Sequence, residues 1–150
     1  MSNRKPPPRP EEFRFWSDET VRVSDTDLNG HVNNGAIGAY CETGRADLVN
    51  AVAGAPHERP FNLAVARITI DYRREVHYPN KVRIGGAIVS LGNTSFVVEQ
   101  ALFVGENCVA TAENVMVLLD RTTRKPHPLS PEVRAKFLAL APMRARAAAE

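Results

Sequence analysis

The stretch NGAIGAYCETGRADLVNAVAGAPHERPFNLAVARITIDYRREV, residues 34–76, changes its hydrophobic period halfway along. Up to Val52 the apolar and small positions Ile37, Cys41, Gly44, Leu48 and Val52 recur every three or four residues, which is one face of a helix. AGAP then ends it. From Leu63 onward the pattern alternates. Ala64, Ala66, Ile68, Ile70 and Tyr72 are expected to face the helix, and Leu63, Val65, Arg67, Thr69, Asp71 and Arg73 the outside. Gly44, within the helical stripe, costs about 1 kcal/mol against alanine, so its expected use is a close approach to a sheet.

Working outward, KVRIGGAIVSL, TSFVVEQALFV and CVATAENVMVLLD read as three more strands. YPN at 78–80 marks a turn, and the short links GNT and GEN imply antiparallel neighbours. Upstream, Phe13–Ser24 is strand-like, with Phe13, Phe15, Val21 and Val23 on one parity and SDET bending it or making a turn. SPEV at 130–133 supplies an N-cap serine and a proline at the first helical position of a short C-terminal helix. The order strand, long helix, four strands is an α+β architecture. One helix covers one face of a five-stranded sheet and leaves edges, which favours a two-fold dimer or a dimer of dimers. Residues 1–11, with PPPRP, are expected as a loose tail, 12–141 as a single domain and 142–150 as a frayed end.

The 150 residues carry a formal charge of +2, too mild to argue for nucleic acid. No run is long and apolar enough for a membrane span or a signal peptide. Cys41 and Cys108 match no metal-ligand spacing and are expected as free thiols in a cytoplasmic protein. No nucleotide, zinc-protease or serine-hydrolase motif is present, so neither metal nor cofactor is expected.

DTDLNGHVNN, residues 25–34, is the chemically dense segment. A helix starting near Asn34 points unpaired N–H groups, with about half a positive charge, back at this loop. Such an end polarises a carbonyl, and Asp27 is close enough in sequence to face it. Gly30 and Gly35 leave room for a ligand. Asp and Asn are equally common as turn and cap residues, so the residues alone leave a structural reading open.

VRVSDTDLNGHVNNGAIGAYCETGRADLV resembles the signature of the hotdog-fold acyl thioesterases of the 4-hydroxybenzoyl-CoA thioesterase superfamily: a strand ending in D-x-D, a G-H-V-N-N segment, then a helix with Y-x-E-x-x-R, here Tyr40, Glu42 and Arg45. DYRREVHYPNKVRIGGAIVSLGNTSF is similar to later strands of that family. The resemblance spans roughly residues 12–130. It implies a five-stranded antiparallel sheet wrapped around one long central helix, and hydrolysis of acyl-CoA or acyl-ACP thioesters to free acid and thiol. Asp27 is then the catalytic carboxylate, as nucleophile or as general base, and the Asn34 N–H polarises the carbonyl. DLNGH also resembles the D-x-N-x-H of plant acyl-ACP thioesterases, which adds Asn29 to orient the carboxylate or water and His31 to shuttle a proton. Asn33, Gly35, Glu42, Thr94 and Ser95 are implied around the substrate, with Asn33 also readable as the helix cap and Glu42 as a second base. Asp25 is expected as a turn or supporting residue, and Arg45 as a partner of Glu42 or Asp47. Arg73, Arg74, Lys81 and Arg83, or Arg121, Arg124 and Lys125, are basic groups that either meet CoA phosphates or are simply solvated. The alternative is a non-hydrolytic acyl-CoA-binding module on the same fold.

Overall fold

A computed structural model describes residues 4–143. Strand β1 (Phe15–Thr20) leads through the Asp27 loop into helix α1 (Asn34–Ala53), and four strands follow: β2 (Phe61–Tyr72), β3 (Lys81–Leu91), β4 (Ser95–Val104) and β5 (Asn107–Asp120). Helix α2 (Pro131–Leu138) follows the sheet. The sheet order is β1-β3-β4-β5-β2, antiparallel throughout. The short links make β3, β4 and β5 consecutive neighbours, as their lengths require. β2, however, crosses to the far edge and pairs with β5. With α1 against one face, this is the expected hotdog arrangement.

α1 has the expected bounds because its stripe packs on the sheet: Ile37, Tyr40, Cys41, Leu48 and Val49 are all buried. Gly44 is where helix and sheet come closest. A Cβ there would lie 2.6 Å from Ile84 Cγ2 and 2.8 Å from Gln100 Nε2. Gln100 is fully buried and donates to the Cys41 carbonyl at 2.8 Å, and Asn114 donates to Gln100 Oε1 at 2.9 Å. These bonds satisfy polar groups that burial would otherwise leave unpaired. Both cysteines are free and buried, and burial pushes the Cys41 thiol up to about 11. α2 begins as SPEV predicts, with Ser130 Oγ accepting from Val133 N at 3.2 Å. It lays Phe137 against Phe96, with ring centres 4.6 Å apart. Among the described residues no helix is long and apolar enough to cross a membrane.

Three expectations about these elements are corrected. SDET lies inside β1, paired to β3 from Ser17 to Thr20, and the chain leaves the sheet after it. Val21 is then buried and Val23 exposed, and Phe13 packs on the sheet's other face, against Gly85. In β2 the register shifts between Val65 and Arg67. A bulge flips the parity of everything beyond it. Before it, Phe61 and Leu63 pack inward with the Leu48 cluster. After it, Ile70 packs inward, while Ile68 stays 42% exposed. A single alternation over the whole strand therefore misassigns Leu63, which precedes the bulge, while Ile68 shares the inward face of Ile70 as expected. Arg45 meets neither Glu42 nor Asp47 within ion-pair distance. It lies on the buried stripe, and its Nη1 has no hydrogen-bond partner among the described residues.

The outer face of the sheet carries Phe13, Trp16 and Phe103 in one aromatic group. The segment expected as a loose tail continues along this side. Arg4 Nη1 donates to the Tyr72 carbonyl at 3.0 Å, and Arg73 Nη2 donates to the Lys5 carbonyl at 3.1 Å. At the other end Met143 N donates to the Glu12 carbonyl at 3.0 Å. The remainder of the expected C-terminal fray, 144–150, lies outside the described residues.

Candidate active site

The loop between β1 and α1 is built from its own amides. Asp27 N donates to the His31 carbonyl at 2.8 Å, and Gly30, at φ 78°, donates back to the Asp27 carbonyl at 3.0 Å. The Asp27 carboxylate completes the turn: its Oδ1 accepts from Asn29 N at 2.8 Å and from His31 N at 3.2 Å. This is the ordinary local chemistry of an aspartate turn. It fixes the carboxylate plane and leaves Oδ2 without a protein partner among the described residues.

The start of α1 is fixed separately. Asn33 is the N-cap, with its Oδ1 accepting from Ala36 N at 2.7 Å. Asn33 N in turn donates to the Asp25 carbonyl at 2.9 Å. Asp25 Oδ2 accepts from Tyr40 Oη at 2.6 Å and from Arg22 N at 2.9 Å. The Tyr40 hydroxyl, then the Arg22 amide, hold the Asp25 carboxyl below its ordinary value. Burial, then the Asp25 carboxylate, push the Tyr40 hydroxyl well above its own. Asp25 is thus the tie between helix and loop. With Asn33 supplying the cap, the N–H groups of Asn34 and Gly35 take no bond among the described residues, as expected of a helix's first turn.

Asp27, His31, Asn34 and Ile37 line one cleft of about 310 Å³ with Tyr72, Arg73, Arg74, Glu75, Val76 and Val109. A carboxylate and a positive helix end therefore face the same space. Val32 N donates to the Val76 carbonyl at 2.7 Å, which closes the loop onto the chain after β2. The His31 imidazole turns toward that chain. Its Nε2 lies 3.3 Å from Glu75 Oε2, and its ring is edge-to-face with His77 at 4.6 Å. His77 Nε2 lies 3.9 Å from the same Glu75 oxygen. Among the described residues, these three side chains form the one group of His, Cys, Asp and Glu whose ligand atoms converge, all within 4.8 Å. Glu75-x-His77 around the buried Val76 is the sequence signal for this pair, since alternate residues of an extended segment share a face.

Other expected residues lie elsewhere. Asn29 contributes its backbone amide to Asp27, and its exposed side chain does not line the cleft. Asn33 spends its side-chain oxygen on the cap. Glu42 is exposed, about 12 Å along the helix from Asn34. Thr94 and Ser95 sit at the opposite end of the sheet, past Leu91. Lys81, at the near end of β3, pairs with Thr20, so β3's length of roughly 30 Å separates the two ends. Of the basic residues, Arg83 stacks on Trp16 at 4.1 Å. Arg121 donates to the Pro56 and Arg59 carbonyls, and Arg73 to Thr111 Oγ1. Arg74, Lys81, Arg124 and Lys125 remain exposed.

Comparison with known proteins gives a consistent picture. The family model described as the thioesterase-like superfamily matches residues 21–137. No curated protein matches the chain significantly. Among solved structures, the PA5185 protein from Pseudomonas aeruginosa is 26% identical, with a TM-score of 0.85 over 92% of this chain and 99% of that one. A predicted thioesterase from Bacillus stearothermophilus is 25% identical, with a TM-score of 0.78 over 85% of this chain and 96% of that one. A thioesterase from Thermus thermophilus, complexed with coenzyme A and Zn, is 28% identical, with a TM-score of 0.75 over 83% and 98%.

Proposed function

The chain belongs to the thioesterase-like superfamily and is an acyl thioester hydrolase, and from that premise we propose that it cleaves acyl-CoA with Asp27 as the working carboxylate. One observation carries the assignment: Asp27 and Asn34, the first residue of α1, line the same cleft, with Asp27 Oδ2 unengaged. The thioester carbonyl oxygen accepts from the Asn34 and Gly35 amides, which stabilise the negative charge that develops on it. Asp27 Oδ2 either takes a proton from the attacking water or adds to the carbonyl carbon itself. In the first case the tetrahedral intermediate collapses to the acid and the CoA thiolate. In the second, the thiolate leaves an acyl-aspartyl anhydride that water then opens. His31, on the wall of the cleft, carries the proton out.

The substrate site is completed by a second copy. β2 is a long edge strand with Val65, Ile68 and Tyr72 exposed, which is the kind of edge that pairs. The opposite edge, β1, is half as long and carries Asp18 and Glu19. Two β2 strands joined antiparallel bring the Phe61 end of one copy beside the Tyr72 end of the other. That end carries Thr94, Ser95, Arg124 and Lys125, so Thr94 and Ser95 of the partner subunit reach the pantetheine, and the exposed basic pair meets CoA phosphates. Coenzyme A in the Thermus thermophilus relative supports CoA over a carrier protein. Two buried free thiols fit a reducing cytoplasm.

The test is thiol release from short, long and aromatic acyl-CoAs by wild type and by Asp27→Asn. Turnover with at least a hundredfold loss in the variant is expected. Equal rates would remove Asp27 from the chemistry. In a single turnover in heavy-oxygen water, label in Asp27 identifies the nucleophilic route with the anhydride opened at the Asp27 carbonyl, since the general-base route labels only the product acid.

A further inference from the structure

The Asp27 carboxylate accounts for one wall of the cleft. The His31–Glu75–His77 group, of which His31 and Glu75 line another wall, is not explained by it. Two imidazoles, from segments more than forty residues apart in sequence, direct Nε2 at one carboxylate oxygen, at 3.3 and 3.9 Å. An ion pair needs only one of them, and exposed pairs contribute little to stability, about 0–1 kcal/mol. The backbone nonetheless holds the arrangement. His31 and His77 face each other as an antiparallel bridge, and the neighbouring Val32 N–Val76 O bond at 2.7 Å locks their register.

We propose that His31 Nε2, Glu75 and His77 Nε2 bind a divalent first-row transition cation, with zinc the best match. Tetrahedral zinc with bonds of 2.0–2.1 Å spaces its ligand atoms about 3.3 Å apart. The His31–Glu75 spacing already equals that edge, the His77–Glu75 pair must close by about 0.6 Å and the widest pair, at up to 4.8 Å, by about 1.5 Å, a movement the half-exposed His77 ring is free to make. Two imidazoles and one carboxylate suit zinc, whereas calcium and magnesium favour all-oxygen sites. Water completes the shell. A bound cation would staple the Asp27 loop to the segment after β2 and, by taking His31 Nε2, would compete with the proton-carrying role proposed for that imidazole. The site stands on this geometry whatever the role of Asp27.

The test uses the full chain without a purification tag, stripped by chelator and titrated with cobalt(II) while its ligand-field absorption is followed. Zinc competition follows. Saturation at one equivalent per chain and displacement by zinc are expected. His77→Ala and Glu75→Gln should each weaken binding at least as much as loss of an outer-shell partner does, about 10–100-fold. Circular dichroism should be unchanged, because both side chains are more than half exposed. His57→Ala, which removes the other exposed His–Glu contact, should bind as wild type does. No cobalt absorption at millimolar metal, or equal affinity in His77→Ala, overturns the proposal.

Discussion

Tyr40→Phe removes a single oxygen and tests whether Asp25 ties helix to loop. The ring stays, so no cavity opens in the core where Tyr40 is 3% exposed. What is lost is the 2.6 Å hydroxyl bond to Asp25 Oδ2. Hydrogen bonds to charged groups contribute about 1.5–3 kcal/mol. Asp25 keeps the Arg22 amide and partial access to water, so the loss should fall at the low end, about 1–2 kcal/mol. With a urea slope of about 2 kcal/mol/M, the midpoint at pH 7 falls by roughly 0.5–1 M. The pH dependence has a definite sign. The folded-state carboxyl of Asp25 is depressed below its ordinary value of 3.8, the Tyr40 hydroxyl being the largest cause. Its stabilisation is therefore full above about pH 4 and is lost as pH falls through the folded value. The variant has less of this stabilisation to lose, so the gap between the two proteins narrows below about pH 4. Urea unfolding at fixed protein concentration, from pH 7 to pH 3, measures both effects. A midpoint shift under about 0.2 M at pH 7, or a gap that does not narrow in acid, refutes the reasoning.

Gly44→Ala should lower stability by up to about 2 kcal/mol in urea unfolding. The new Cβ collides with Ile84 and Gln100, and this overpacking, about 1–3 kcal/mol, outweighs the roughly 1 kcal/mol gained in helix propensity. A more stable variant would show that helix and sheet separate easily there. Val65→Lys places a charge on the exposed β2 edge and should shift a dimeric wild type to monomer in light scattering, with loss of thioester cleavage and an unchanged circular dichroism spectrum. A variant that remains dimeric, or a wild type that is monomeric while active, removes β2 from the interface.

Locally determined features were legible in the chain. The bounds of α1, the β3–β4–β5 meander and the SPEV cap follow from period, link length and turn chemistry, which act over a few residues. So does the polar loop at 25–34, whose bonds run mostly among its own members. The resemblance then implied a reaction for those polar residues. Tertiary structure decided what depends on distant neighbours. β2 lies beside β5 because the sheet closes in that order, and its bulge at Val65–Arg67 reverses which side chains are inward. Arg45 lies on the buried stripe where a helix-surface pair was expected, because α1 turns that face to the sheet. Glu75 and His77 reach His31 only because the segment after β2 pairs with the Asp27 loop. A period or a turn preference carries no information about which strand edge a segment will meet. Backbone pairing between residues dozens of positions apart sets that, and it placed both walls of the cleft.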